Sequence, residues 1–481
     1  MTFNINYVAE ANPFPPDAGS TFAYADVWAE NGFAYVGSDR GIDNSTSRRG
    51  VSVFSISNSG IPTFLPPPTS PPAGYTATTY FGSEMEDVEV YDGIGYFSSD
   101  VNGASGRTGV DIVDLSIPFD PLQLSRVDSS DCLAGNPSVC AHGKVHTLSI
   151  QRIAPNTPSE QRFLYTSDNS TTVVKISDVT NPSSPQLVTS LSLGLASNID
   201  SHEVVVRNNR LYVASKNPSS NTTDGWFHIY DVADPTNPVL LKAFLTGAST
   251  HTAMPTDDGN TLIVAEERSN GNVKIYDISM IDQPNDPQPP VLLATLNRTS
   301  VGIDAHSPHH VHVHGNLLFL PWYEAGLQVF NIANPSNPIH VGAFDTFPGT
   351  STNFNGNWGV DLSLGLDRVL LSDRTRGLIV VDATGVILSG DYDQDMDVDA
   401  DDFTVWREAF GTTQSGVHDA PIADGNYDGI VDAADYVVWR RAMAGGSGSF
   451  AGDSTVPEPA AMLLFVVGIG ILFSRCRVRI A

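Results

Sequence analysis

Seven short apolar stretches recur along the chain, and no other feature constrains its fold as much. They read AYVGSD (34 to 39), GYFSSD (95 to 100), FLYTSD (163 to 168), LYVASK (211 to 216), LIVAEE (262 to 267), LLFLPW (317 to 322) and VLLSD (369 to 373). Their spacing of roughly 50 to 60 residues lies in the range of blade-forming repeats. Each is followed by a second stretch such as GVSVFSIS (50 to 57), FHIYDVAD (227 to 234) or LQVFNIAN (327 to 334), and apolar residues alternate in both, which predicts strands. Prolines in DPTNP (234 to 238) and NPSNP (334 to 338) break the ladder and lead into a further strand. A four-stranded antiparallel unit cannot bury its faces alone, so seven of them are expected to pack radially. The expected fold class is all-β, a seven-bladed β-propeller over residues 1–388. Alternation of Phe3, Ile5 and Tyr7 predicts that the N-terminus supplies the last strand of blade seven and closes the ring.

These units resemble LVIVD repeats, and their order is similar to the choice-of-anchor B family. The resemblance is carried by STHTAMPTDDGNTLIVAEE (249 to 267), HHVHVHGNLLFLPWYEAGLQVFNIANPSNP (309 to 338) and FDTFPGTSTNFNGNWGV (344 to 360). It implies a bacterial surface propeller and assigns no activity.

GDYDQDMDVDADDFTVWREAFG (390 to 411) and DGNYDGIVDAADYVVWRRAMAG (424 to 445) form a tandem repeat with oxygen ligands at calcium-loop spacing. The first loop would offer Asp391, Asp393, Asp395, the carbonyl of Asp397, Asp399 and Asp402. The second would offer Asp424, Asn426, Asp428, the carbonyl of Ile430, Asp432 and Asp435. Each loop enters a short helix, so a small α-helical calcium-loop domain is expected over 389–446; an acidic disordered linker is the other reading. A final Asp ligand and a missing incoming helix resemble a type I dockerin. That resemblance implies a cohesin-type partner and, by association with polysaccharide-degrading machinery, a carbohydrate ligand. Met396 stands where the second copy has Gly429, which predicts a strained first loop.

After a linker (447–455), VPEP (456 to 459), the apolar run Ala460 to Phe473 and Arg475, Arg477 and Arg479 resemble a PEP-CTERM sorting signal spanning 456–481. This implies an exosortase-type processing enzyme, and a plain C-terminal anchor would give nearly the same location. The expected location is therefore the cell-envelope surface, with membrane contact only through this tail. MTFNINYVAEANPFPP carries no export leader, so the start is expected to be truncated or miscalled. With 54 acidic against 25 basic residues and a net charge of -29, nucleic acid and anionic membrane surfaces are excluded as partners. Cys132 and Cys140 flank a Gly/Asn/Pro loop, where either a disulfide or two unpaired thiols fits the spacing.

HSPHHVHVH (306 to 314) holds five of the twelve histidines. Aligning the repeats sets His146, His202, His251 and His309 at the start of successive first strands, with Asp26 and Asp87 nearby in blades one and two. The second strand returns to the same rim, which makes Asp39, Asp100, Asp168, Glu266, Glu267 and Asp373 rim candidates. Imidazoles and a carboxylate such as Glu267 converging on a channel mouth are ligands for iron, copper or zinc. The competing reading is that each histidine hydrogen-bonds blade to blade. Period-two geometry sets His310, His312 and His314 on the face opposite His309, predicting a solvated or blade-interface role for them. No hydrolase elbow, P-loop or dinucleotide turn is present. A binding or scaffolding propeller is thus the leading expectation, with a metal-dependent enzyme and a structural surface-layer component as alternatives.

Overall fold

The computed structural model describes residues 2–13, 23–39, 50–66, 85–99, 108–128, 143–217, 219, 224–247, 249–284, 286–299, 302, 307–349, 354–413 and 419–445. Cys132, Cys140, Asp100, His306 and the linker and tail from 447 onward lie outside the described residues. Among the described residues no helix is long and apolar enough to cross a membrane.

Among the described residues, twenty-eight strands form seven four-stranded antiparallel sheets, and in six of them spatial order follows chain order. The alternation seen in the sequence becomes two buried faces per blade. Seven apolar clusters fill the seven gaps between neighbouring blades: Tyr96, Val110 and Ile112 of blade two, for example, meet Leu148, Ile150 and Leu164 of blade three. Each fully buried aliphatic or aromatic side chain contributes about 1.5–3 kcal/mol, and each of these seven clusters joins two blades. The ring therefore stabilises its members collectively.

Blade seven departs from chain order. Its strands β26 (Asn357–Asp361), β27 (Val369–Asp373) and β28 (Gly377–Asp382) are completed by β1 (Asn6–Ala11). Asn6 pairs with Asp382 and Ala11 with Leu378. The N-terminus does close the ring, but the strand lies further along than the Phe3–Tyr7 alternation suggests. Phe3 instead bridges Ala343 of blade six, Ile5 is buried between blades six and seven, and Tyr7 is exposed.

Two loop–helix units follow, with helices α1 (Ala400–Ala409) and α2 (Ala433–Gly445). Asp399 caps α1 in a reciprocal capping box with Asp402. Asp432 and Asp435 repeat these bonds at the start of α2. Each helix carries a tryptophan that donates to the other unit's loop: Trp406 Nε1 to the Asp432 carbonyl and Trp439 Nε1 to the Asp399 carbonyl, both at 2.8 Å. This exchange joins the pair into one body.

Candidate functional site

The first strands of successive blades are innermost and line a central channel. In blades one, four, five and seven the ladder slips at the same place, between Tyr24 and Val27, Ser201 and Glu203, Thr250 and Thr252, and Asn357 and Gly359. A bulge of this kind re-aims one side chain, here into the channel. Backbone bonds from His146 and Glu86 to the second strand place them equivalently. Glu86, His146, His202, His251, His309 and Trp358 therefore follow one another around the wall. The four imidazoles stand ring against ring at centroid separations of 4.3, 4.3 and 4.4 Å, and Trp358 continues the row 4.0 Å from His309.

Asp26 and Asp87 are not members of this series; they stand one residue later, beside Thr147, Glu203, Thr252 and His310. That next position does the blade-to-blade locking. Asp87 accepts from the Leu148 amide at 2.7 Å, and Thr147 Oγ1 accepts from the Val204 amide at 3.1 Å. The histidines join the locking mainly through their backbone, as when Ser98 and Ser167 donate to the carbonyls of His146 and His202.

The rings are held in one consistent way. Nδ1 of His146 lies 2.6 Å from Glu86 Oε2, that of His202 2.8 Å from Asn169 Oδ1, that of His251 3.1 Å from Thr252 Oγ1, and that of His309 2.9 Å from the Trp358 carbonyl. A carbonyl can only accept, so His309 carries its proton on Nδ1 and turns an Nε2 lone pair inward. Nε2 of His202 and of His309 is buried with no hydrogen-bond partner among the described residues. Burial holds His202 and His251 well below the usual imidazole range and lowers His309 to about 4, so all three are neutral near pH 7.

Of the rim acids among the described residues, only Glu267 reaches the row. Its Oε2 lies 3.4 Å from His251 Nε2 and its Oε1 lies 4.0 Å from His309 Nε2. Burial opposes its charge, but Lys216 at 2.9 Å, the histidines and the Tyr323 hydroxyl at 2.7 Å outweigh it and hold Glu267 well below the carboxylate range. The others turn away: Asp39 pairs with Arg374, Glu266 with Lys274 and Arg268, while Asp168 and Asp373 close local turns. Two sets of three ligand atoms lie within 4.8 Å of one another, His146/His202/His251 and His251/Glu267/His309.

Beneath the row lies a cavity of about 530 Å³. His310, His312 and His314 line it, which corrects the expectation that they are solvated or at a blade interface. The reason is the pleat: Val311 and Val313, on the alternate face, fill the gap between blades five and six. At the far mouth Asp419, Ala420 and Ile422 of the C-terminal unit complete the lining, with His312 Nε2 2.9 Å from Asp419 Oδ1.

Glu203, also in the wall, is buried and pushed up to about 8 by loss of solvent, against one hydrogen bond from Thr252. An unfolded glutamate titrates near ~4.3, so the folded state holds the extra proton between these values. The resulting stability is complete below the unfolded value and is lost as pH rises through about 8. In metal-free protein, Glu203→Gln is expected to flatten the fall in melting temperature between about pH 5 and pH 8, an effect on the order of a few kcal/mol. Melting curves across that window check it; an unchanged slope would show the carboxyl is ionised.

In the C-terminal units Asp391 accepts from the amides of Asp395 and Met396, and Asp424 from those of Asp428 and Gly429. The loops share one backbone, with Met396 at φ 83 and Gly429 at φ 89. Asp391, Asp393 and Asp402 also bring carboxylate oxygens within 4.8 Å.

Residues 153–311 match the Choice-of-anchor I domain and residues 307–346 the LVIVD repeat. The anchor-type match is thus to the I domain and not to the B family expected from the sequence motifs. No curated protein matches the chain. Similar solved structures include the WD40 beta propeller domain of Doa1, at 15% identity and a TM-score of 0.47, covering 79% of this chain and 97% of that one. Another is a functionally unknown protein from Desulfotomaculum acetoxidans DSM 771, at 12% identity and a TM-score of 0.42, covering 64% and 83%.

Proposed function

We propose that this chain is a surface-held β-propeller that binds a transition-metal ion, iron, copper or zinc, on the histidine row of its channel. The observation that carries the reading is the common anchoring of four Nδ1 atoms on oxygen. An outer hydrogen bond that fixes the tautomer and leaves Nε2 for the ion is how metal-ligating histidines are held. His251 belongs to both ligand sets and is assigned as the common ligand. Glu267 supplies the negative charge a divalent ion favours. Titrating the metal-free chain with zinc(II), copper(II) and iron(II) in competition with a chelator tests this: saturable, stoichiometric uptake is expected, and no uptake of any of the three overturns it.

A second reading makes the ion catalytic and rests on the cavity beside the row, which has room for a small substrate. Metal-dependent turnover lost together with His251 would separate it from simple binding.

Surface attachment is supported by the choice-of-anchor match and by the sorting-type tail. The paired loops take calcium in this proposal, forming a dockerin-like module for which the resemblance implies a cohesin-type partner, with carbohydrate as the associated ligand class. Met396 adopts a left-handed backbone that costs a side-chain-bearing residue about 1–2 kcal/mol. Met396→Gly is therefore expected to tighten calcium binding by the first loop about five- to thirtyfold, read by titration calorimetry. Unchanged or weaker binding would place the strain elsewhere.

A further inference from the structure

The first acidic loop is clasped by the propeller through the residue lying between two of its ligand positions. Gln394 is 1% exposed. Its Oε1 accepts from the Asn316 amide at 2.7 Å, and its carbonyl accepts from Asn331 Nδ2 at 2.7 Å. Asn316 Nδ2 donates to the carbonyl of Asp393 at 2.7 Å. Blade six approaches so closely here that a Cβ on Gly315 would meet Gln394 Oε1 at 2.5 Å. The same C-terminal body sets Asp419 against His312 at the far mouth of the channel.

We infer that calcium binding in the first loop and closure of the far channel mouth by residues 419–422 are one coupled event. Gln394 sits at φ 58 and Met396 at φ 83, a local fold in which Asp391, Asp393 and Asp402 bring carboxylate oxygens within 4.8 Å of one another. That fold also aims the Gln394 carbonyl and side chain at blade six. Calcium and the propeller therefore stabilise the same loop conformation, and two binding events that favour one state must strengthen each other. With calcium the clasp holds and the mouth is covered; without it the loop relaxes, the clasp weakens, and the cavity opens at His312 and His314. This inference rests on the calcium reading of the loops.

The test uses the full chain, freed of metal, before and after adding calcium alone. Diethyl pyrocarbonate labelling of His312 and His314, read residue by residue by mass spectrometry, is expected to slow about fivefold or more with calcium. Asn331→Asp keeps the bond its oxygen accepts from the Ala333 amide and turns a carboxylate toward the Gln394 carbonyl; it should restore fast labelling with calcium present. Gln394→Gly removes the side-chain bond from the Asn316 amide and leaves the carbonyls of 393 and 394 in place while easing the backbone, so a weaker calcium site in this variant has lost propeller contact rather than loop geometry. A chain that binds calcium with unchanged labelling overturns the coupling and leaves the calcium reading standing. A chain that binds no calcium overturns both.

Discussion

Replacing His251 with alanine is expected to abolish transition-metal binding, lowering affinity about 100-fold or more, while the chain stays folded. His251 is the residue that both three-ligand sets share, and its ring lies between those of His202 and His309. No single neighbour has that reach: loss of His309 leaves the set with His146 and His202, and loss of His202 leaves the set with Glu267. The single variants His202→Ala and His309→Ala are therefore expected to weaken binding less than His251→Ala. His340→Ala serves as control, because that ring stacks on Phe330 at 4.6 Å in blade six and lies outside the channel lining. Affinity by competition titration, with circular dichroism to confirm the fold, checks the order. Equal affinity in His251→Ala and the parent chain would remove the row from any metal site.

Deleting residues 2–11 is expected to open the ring and lower the melting temperature by about 10 °C or more. The segment completes blade seven through β1. It also buries Ile5 among residues of blades six and seven, about 2 kcal/mol, and exchanges two backbone bonds between Phe3 and Ala343 at 2.9 and 3.0 Å. Each ladder bond adds roughly 1 kcal/mol net, and the loss leaves β28 as an unpaired edge. Ile5→Asp asks the same question more gently, by placing a charge where no partner exists. A melting temperature unchanged by either alteration would mean the ring is held without its N-terminal clasp.

The blades were legible because burial on both faces imposes a strict alternation, repeated seven times, that a single sequence displays. The histidine series was legible for the same reason. A one-residue slip hid the rest: Asp26 and Asp87 look equivalent to the histidines by spacing, yet the bulge places Glu86 in the row and sends Asp87 to lock blades. Trp358 was missed because an aromatic gives no metal-ligand signal, although its carbonyl orients His309. Asn169 and Thr252 are ordinary strand-end polar residues until the fold brings them to an imidazole. His312 and His314 were misplaced because periodicity separates two faces without saying which one meets the channel. The clasp by Asn316 and Asn331 depends on contact between units some 60 or more residues apart, which no local pattern records.

The most direct test of the central claim is anomalous scattering, recorded at the metal absorption edge from crystals of the full chain grown with the ion. The account predicts a peak about 2.0–2.2 Å from a ring nitrogen of His251, with His309 and Glu267 or His202 and His146 completing the shell. A peak only at other residues, or none with the row undisturbed, would contradict it.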